Sequence, residues 1–497
     1  MDESCALYSV SQVRAFDEYA IKERGVAGYT LMTRAATAAL GALRARWPQA
    51  LRIAVVTGGG NNGGDGLVLA RLARAAGLEV SVLALCAAQQ LHGDARRAAD
   101  DFLAAGGVLL PIDAQAGPDA RLLAAADVVV DALLGTGLRE PVRDNHRRAI
   151  AAINDSGRPV LALDLPSGIN GDSGMAMGAA VRAACTITFV ARKTGLYLGD
   201  AVDCSGVVLF DNLQAPRGEC PLPVLELLGD ADIRRALPPR ARAANKGDFG
   251  RVLIIGAGSG MPGAVRLAGE ACLRSGAGRV TTATAAANVA VIAGGRPELI
   301  CQAAGSPADI EVALAHASVV AIGPGLGLDA WARALFDAAM NSGKPLVIDA
   351  DALTLLGLAG RKPPAGAILT PHPGEAGRLL GVSSAQVQAD RRAALLALVE
   401  RTGATVVLKG AGTLIGAPGK VPTLCAAGNP GMAAPGMGDV LTGVIAGLLA
   451  QCAEPWLAAR AGVQAHARAG DALASNSGMR GLLALELAAG LARWVNA

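Results

Sequence analysis

Apolar, β-branched runs alternate with helical patterns along the whole of this 497-residue chain, and glycines or carboxylates repeatedly follow the runs. In the first half the strand candidates are IAVVTG (Ile53–Gly58), EVSVLAL (Glu79–Leu85), DVVVDAL (Asp127–Leu133), PVLALDLP (Pro159–Pro166) and TITFVA (Thr186–Ala191). Between the first two, Leu69, Leu72, Ala73 and Ala76 fall at i, i+3, i+4 and i+7, one stripe of an amphipathic helix. Strand–helix–strand repetition demands a parallel sheet covered on both faces. The segment APRGECPLPVLELLG (Ala215–Gly229), with three prolines, interrupts the rhythm. A second block then runs through RVLIIGAG (Arg251–Gly258), ASVVAIGPG (Ala317–Gly325), KPLVIDAD (Lys344–Asp351), GAILTPHPGE (Gly366–Glu375) and ATVVLKGAGT (Ala404–Thr413), and closes in long helical patterns after Gly438. The expectation is two α/β domains, 1–215 and 225–497, with the boundary inside 213–228.

Ligands of such sheets bind beyond the carboxyl ends of the strands. Seven clusters of polar and small residues fall there: NNGGDG, DALLGTG, DLPSG, GPGLG, DADAL, TPHPGE and KGAGT. One such cluster is an ordinary turn; seven together point to ligand chemistry. Composition narrows the class further. Hydrophobic residues make up 52% and charged residues 18%, which supports buried cores and argues against disorder. Aromatics at 3% speak against a base-stacking single-strand binder, and a net charge of +3 without a basic run against a nucleic-acid surface. The nine cysteines (Cys5, Cys86, Cys185, Cys204, Cys220, Cys272, Cys301, Cys425 and Cys452) stand singly without a CxxC, so they read as thiols of a reducing compartment and not as a zinc site. MDESCALYSV lacks a basic-then-apolar leader pattern, and the longest nearly apolar stretch, Val440–Ala453, is too short for a bilayer. A cytoplasmic protein without membrane or nucleic-acid partners is expected.

The segment LRIAVVTGGGNNGGDGLVL (Leu51–Leu69) holds six glycines. A strand that runs through a glycine-rich turn into a helix offers bare N–H groups to an anion. GGGNNG matches GxGxxG, but the second strand ends in Ala84, Leu85 and Cys86, without the acidic residue that a dinucleotide dehydrogenase places there to bind ribose. Asn61, Asn62 and Asp65 sit at this turn, Asp131 at the end of the third strand, and Asp164 at the end of the fourth. Such carboxylates can cap helices, hold a cation or exchange protons.

GGGNNGGDGLVLAR, DALLGTGL, LDLPSGINGDSG and FVARKTGLYLG make residues 8–212 similar to the YjeF N-terminal family, the NAD(P)H-hydrate epimerases. The resemblance implies a Rossmann-like domain that interconverts the R and S epimers at C6 of hydrated NADH or NADPH (NADHX, NADPHX). It places substrate contacts at Asn61, Asn62, Gly63, Gly64 and Asp65, and at Gly135, Thr136, Gly137, Leu138, Arg139, Glu140 and Pro141. It matches Asn62, Asp131 and Ser167 to potassium (K+) ligands, an all-oxygen set suited to a hard cation. Asp164 is the expected acid/base; Lys193 is a second, weaker candidate, equally open to being a solvated surface lysine.

In the second half, GNPGMAAPGMGDVLTGVIAGLLAQ (Gly428–Gln451) carries a helical stripe of Val440, Leu441, Val444, Ile445, Leu448 and Leu449. A buried helix is expected from about Gly438, with Asp439 in its first turn as a dipole-stabilised cap or as a base beside an anion hole. No GxxxxGK[ST] occurs, which excludes a Walker site. GMGD, GPGLG, DADAL, TPHPGE and KGAGT resemble the ribokinase-like YjeF C-terminal family, the ADP-dependent NAD(P)H-hydrate dehydratases, over Leu225–Asn496. The resemblance implies phosphorylation of the C6 hydroxyl by ADP or ATP with magnesium (Mg2+), then loss of phosphate. It places the hydrate at Ala264, Gly325, His372 and Asp439. It places the nucleotide at Lys409, Gly410, Ala411, Gly412, Thr413 and Gly438, with Asp439 as base. Two departures stand out: APGMGD puts Ala434 and Met437 where relatives carry hydroxyls, and Met261 stands where many carry Tyr. His372, between two prolines, is also open to a purely structural role; His92, His146, His316 and His466 are assigned none. A homo-oligomer is expected. The competing reading is a small-metabolite kinase with a regulatory Rossmann-like domain.

Overall fold

The computed structural model describes residues 5–113, 115–218 and 221–496. The chain divides into two compact units, Met1–Leu225 and Glu226–Ala497.

In the first unit a seven-stranded sheet, parallel throughout, is built around Arg52–Thr57. Glu79–Ala84 and Leu109–Pro111 lie to one side, and Val128–Ala132, Val160–Leu163, Cys185–Phe189 and Val207–Asp211 to the other. Alternate side chains serve opposite faces, as the period of a strand requires. Ile53 and Val55 enter one core, with Leu67, Val68 and Phe102, while Ala54 and Val56 enter the other, with Leu123, Ile150 and Ile153. The order reverses between Arg52–Thr57 and Val128–Ala132, so the crevice opens beyond Thr57 and Ala132.

The glycine run is explained here, and only partly by ligand approach. A Cβ on Gly58 would fall 2.0 Å from the Leu133 carbonyl oxygen, and one on Gly63 2.1 Å from that of Gly58. Gly64 is filled against the Met32 side chain and Gly66 against Ala132. These four glycines let the helix Asn61–Ala75 lie close on its strands. Gly59 and Gly60 line the crevice.

The second unit is centred on Arg251–Ile255, flanked by Arg279–Thr284 and Ile300–Ala303 on one side. On the other side come Val319–Ile322, Leu346–Ile348, Ile368–Leu369 and Thr405–Leu408, all parallel. An antiparallel hairpin, Thr413–Gly416 with Thr423–Cys425, and Leu225–Leu227 extend the sheet. Its core gathers on the helix Met437–Cys452, where Val440, Leu441, Val444, Ile445, Leu448 and Leu449 are all buried. This helix packs against Pro262–Arg274 at backbone distance: a Cβ on Gly443 would lie 2.0 Å from the Ala268 carbonyl. Close crossings of this kind are what an Ala/Gly-rich, aromatic-poor chain permits.

Cys86, Cys185, Cys204, Cys272, Cys301, Cys425 and Cys452 carry free thiols; Cys220 lies outside the described residues. Among the described residues no helix is long and apolar enough to cross a membrane.

Two candidate active sites

The crevice of the first unit is a cavity of about 950 Å³. Asn61, Asn62 and Asp65 line it from the helix Asn61–Ala75, Gly135 to Pro141 from the loop after Val128–Ala132, and Asp164 from the end of Val160–Leu163. Gly63 and Gly64 sit behind this wall in packing contacts. Asp164 has φ +65°, a left-handed conformation that Asp and Asn tolerate better than most residues. It forms an ion pair with Lys193, whose side chain is buried. The ammonium also donates to Thr188 Oγ1 at 3.0 Å and to the Phe189 carbonyl at 2.9 Å. Lys193 is therefore an integral part of this site and not a solvated surface lysine.

Behind the crevice lies an oxygen-rich knot. Ser167 donates from Oγ to Asp131 Oδ1 at 2.6 Å and from its backbone N–H to Asp131 Oδ2 at 2.8 Å. Leu134 N–H donates to Ser167 Oγ at 2.8 Å, and Asn62 Nδ2 to the Leu134 carbonyl at 3.1 Å. Burial pushes the Asp131 carboxyl up to about 6 against the pull of the Ser167 hydrogen bonds. Asn62 Oδ1 is buried and has no hydrogen-bond partner among the described residues. An orphaned amide oxygen beside a buried carboxyl and a hydroxyl fits a hard, weakly charged cation.

The second unit repeats the logic with different parts. Asp349, at the end of Leu346–Ile348, is buried and accepts from Lys409 Nζ at 2.8 Å, Thr370 Oγ1 at 2.8 Å and Thr442 Oγ1 at 2.7 Å. Burial alone would raise its carboxyl; Lys409 and the two hydroxyls together hold it below the ordinary range. Gly438 and Asp439 lie in the first turn of Met437–Cys452, after Gly436 at φ +85°. A Cβ on Gly438 would stand 3.5 Å from Lys409 Nζ, so the GMGD turn and the KGAGT loop adjoin. Burial, reinforced by Asp349 and Asp351 and opposed by Lys409, pushes Asp439 up to about 7. A carboxyl poised there exchanges protons near neutrality, as a general base requires.

The remaining predicted positions fall around this centre. Gly325, at φ +57°, packs against Met261 and Ala264, where its own Cβ would come within 3.1 and 3.3 Å of theirs. His372 caps the helix Pro373–Leu380: Nδ1 accepts from Gly374 N–H at 2.9 Å and Glu375 N–H at 3.3 Å, while Nε2 lies 3.3 Å from Glu375 Oε1. Its tautomer is thereby set, with half of the side chain still exposed.

Sequence reasoning missed several residues that build these sites. Arg391 is buried and forms no ion pair among the described residues, and its guanidinium donates to the carbonyls of Leu408 (3.2 Å), Lys409 (3.3 Å) and Gly412 (3.3 Å), so it holds the KGAGT loop in shape. His466, buried and pushed down to about 4, lies 3.1 Å from the Met437 carbonyl at the start of the Asp439 helix. Asp349 and Glu375, which lie in the DADAL and TPHPGE motifs without an assigned role, surround Lys409, and Thr442 bonds Asp349. SVSQ at Ser9–Gln12 was legible as a capping box, and the helix it starts, Val10–Glu18, brings Asp17 into the cavity of the first unit.

Residues 28–195 match the family model described as YjeF-related protein N-terminus, and residues 252–493 the model described as NAD(P)H-hydrate dehydratase. A bifunctional NAD(P)H-hydrate repair enzyme from Coxiella burnetii is 46% identical over 97% of this chain and 97% of its own. The chain belongs to the bifunctional NAD(P)H-hydrate repair enzymes. Its relative of the same description from Escherichia coli is 40% identical over 99% of this chain and 94% of its own. Among solved structures, a ribokinase-like superfamily protein from Enterococcus faecalis is 29% identical, covers 55% of this chain and 96% of its own, and superposes with a TM-score of 0.50. A hypothetical protein from Streptococcus mutans superposes at 0.51 with 32% identity, over 54% of this chain and 98% of its own. The fold of this repair-enzyme family member is accordingly a Rossmann-like α/β unit followed by a ribokinase-like one.

Proposed function

We propose that the chain repairs hydrated NADH and NADPH in two steps, exchanging the C6 epimers in the first unit and removing water from the S epimer in the second with ADP or ATP. The observation that carries this reading is a pair of carboxylate–lysine centres, one in each unit, each at the carboxyl ends of a parallel sheet. Exchange at a carbon that bears both a hydroxyl and the ring nitrogen needs the C6–O bond to break and re-form with the help of proton transfer, and no redox step. Asp164, fixed by Lys193, is the acid/base, and the dinucleotide lies along Asn61–Asp65 and Gly135–Pro141. Asn62, Asp131 and Ser167 would hold the proposed potassium ion, which would supply a positive field beside the substrate.

In the second unit the hydrate lies over Ala264, Gly325 and His372, and the nucleotide over Lys409–Thr413 and Gly438. Asp439 takes the proton of the C6 hydroxyl as that oxygen attacks the terminal phosphorus, and AMP leaves when ADP is the donor (ADP when it is ATP). The bare N–H groups of the helix start hold the anionic oxygens. The C6–O bond then breaks with phosphate as leaving group, nitrogen lends its pair, and loss of a proton from C5 restores the dihydropyridine. Magnesium enters with the nucleotide phosphates, the usual mode for a small hard cation. The backbone N–H groups of APGMGD bind phosphate without help from hydroxyls at Ala434 and Met437. A homo-oligomer in the cytoplasm completes the proposal.

The test is a coupled assay on mixed epimers. Absorbance at 340 nm should rise only with ADP or ATP present, and should run to completion because the R form is fed into the S form. Accumulation of a stable phosphorylated metabolite would instead favour a kinase.

A further inference from the structure

Exchange at C6 by the proposed route needs two proton-transfer groups. Breaking the C6–O bond requires an acid on the departing oxygen, and return of water on the other face requires a base. Asp164 supplies one group. Lys193 is not the other: its ammonium has three N–H donors, and Asp164, Thr188 Oγ1 and the Phe189 carbonyl engage all of them.

One wall of the cavity is a helix face. Val13, Arg14, Asp17 and Glu18 of Val10–Glu18, with Ile21 from the π-helical turn that follows, have the spacing of a single stripe. The helix is pinned at two points. Val10 N–H donates to Asp172 Oδ1 at 2.7 Å, and Arg14 Nη2 to the Thr136 carbonyl at 2.6 Å, inside the GTGLREP loop. The charged neighbours of Asp17 on this face are thus already engaged, Arg14 by that carbonyl and Glu18 by Lys22 at 3.3 Å. Asp17 itself is half-buried and makes no hydrogen bond or ion pair among the described residues. Asp65, which also lines the cavity, likewise makes no hydrogen bond or ion pair among the described residues, and the one ammonium in the lining, that of Lys193, is fully engaged. Burial, with Asp164 adding to it and Lys193 opposing, pushes Asp17 up to about 6; burial, Asp164 and Asp17 together push Asp65 well above its ordinary range.

We propose that Asp17 is a catalytic residue of the epimerisation, the proton donor and acceptor that complements Asp164. This rests on the epimerase reading of the site. The protonated Asp17 carboxyl gives its proton to the C6 hydroxyl. The C6–O bond breaks as the ring nitrogen's lone pair forms C6=N1, and water leaves. A second water then bonds to C6 from the opposite face while the Asp164 carboxylate takes its proton. The ring and the water count are unchanged; one proton has moved from Asp17 to Asp164, and proton exchange with solvent water returns both carboxyls to their starting states before the next turnover. The reverse exchange runs the same steps with the roles swapped, so both epimers are substrates.

The experiment uses the full chain without nucleotide, starting from one pure epimer, with the R/S ratio followed by chromatography and spontaneous exchange subtracted. Asp17→Asn should lower kcat by about 10²-fold with KM within about threefold, the scale of a lost general acid/base. Asp17→Glu should recover at least about tenfold over Asp17→Asn, since it restores the carboxyl and not the geometry. A wild-type kcat in Asp17→Asn, a loss confined to KM, or equal rates for the Asn and Glu variants would overturn the proposal. Absence of exchange by the wild-type chain would instead overturn the epimerase reading on which it rests.

Discussion

The two sites place an aspartate–lysine pair at the same kind of address, yet they use it differently. In the first unit the paired aspartate, Asp164, faces the cavity, and the lysine is the buried partner. In the second the paired aspartate, Asp349, is buried under Lys409, Thr370 and Thr442, and the carboxyl proposed to react is a third group, Asp439, lifted to about 7 by burial and by the neighbouring aspartates. An ion pair exposed to substrate can exchange a proton itself. A buried one can only hold a loop and set the field for a neighbour. The first arrangement suits a reversible swap at one carbon, and the second a one-way abstraction next to a highly charged nucleotide.

If that contrast is right, the largest effect belongs to Asp439→Ala. ADP-dependent recovery of NADH should fall at least about 10³-fold, at the upper part of the range for a lost base, while R/S exchange continues; loss of both would break the division between the sites. Asp164→Ala should slow exchange by about 10²-fold and leave the S epimer fully repairable, so a mixture stalls with the R form unconsumed after spontaneous exchange is subtracted. Next comes pH. A base at about 7 is deprotonated above that value, so dehydratase kcat/KM should rise about tenfold per unit up to roughly pH 7 and then level off; a flat profile from pH 5 to 8 would remove Asp439 from the rate equation. Replacing potassium by a bulky organic cation should slow exchange several-fold and leave dehydration unchanged, since Asn62 Oδ1 has no partner of its own among the described residues. The smallest effect is Arg391→Lys, which loses the planar fork that holds three loop carbonyls; KM for ADP should rise a few-fold with kcat nearly constant.

The parts of the fold that were legible share one trait. Runs such as IAVVTG and VVVDA are buried on both faces and announce themselves through hydropathy. Arg279–Thr284 did not, because its sequence is RVTTAT: Thr282 and Thr284 are buried, and Thr284 Oγ1 finds the Ala257 carbonyl at 2.7 Å, a partner no local pattern reveals. Leu109–Pro111 and Ile300–Ala303 are short strands at the sheet edges and show little alternation. At the sites, the glycine-rich turns and strand-end carboxylates could be read directly, since each lies within its motif. Asp17 and Arg391 could not. They reach their sites through folding, Asp17 more than 40 residues before the turn it faces and Arg391 from a helix whose stripe looks like ordinary surface. Of the six glycines of the opening turn, four serve the packing of helix on strand, a use the motif does not announce, and two line the cavity.

The backbone at Asp164 has an evolutionary corollary. Its φ of +65° admits aspartate, asparagine and glycine readily and penalises most alternatives by about 1–3 kcal/mol. A descendant that abandoned proton exchange would thus have few inexpensive exits, and asparagine is the nearest. If Asp164 is the proposed acid/base, an asparagine or glycine at this position in a sister chain would mark a domain that had retired from chemistry while keeping its shape.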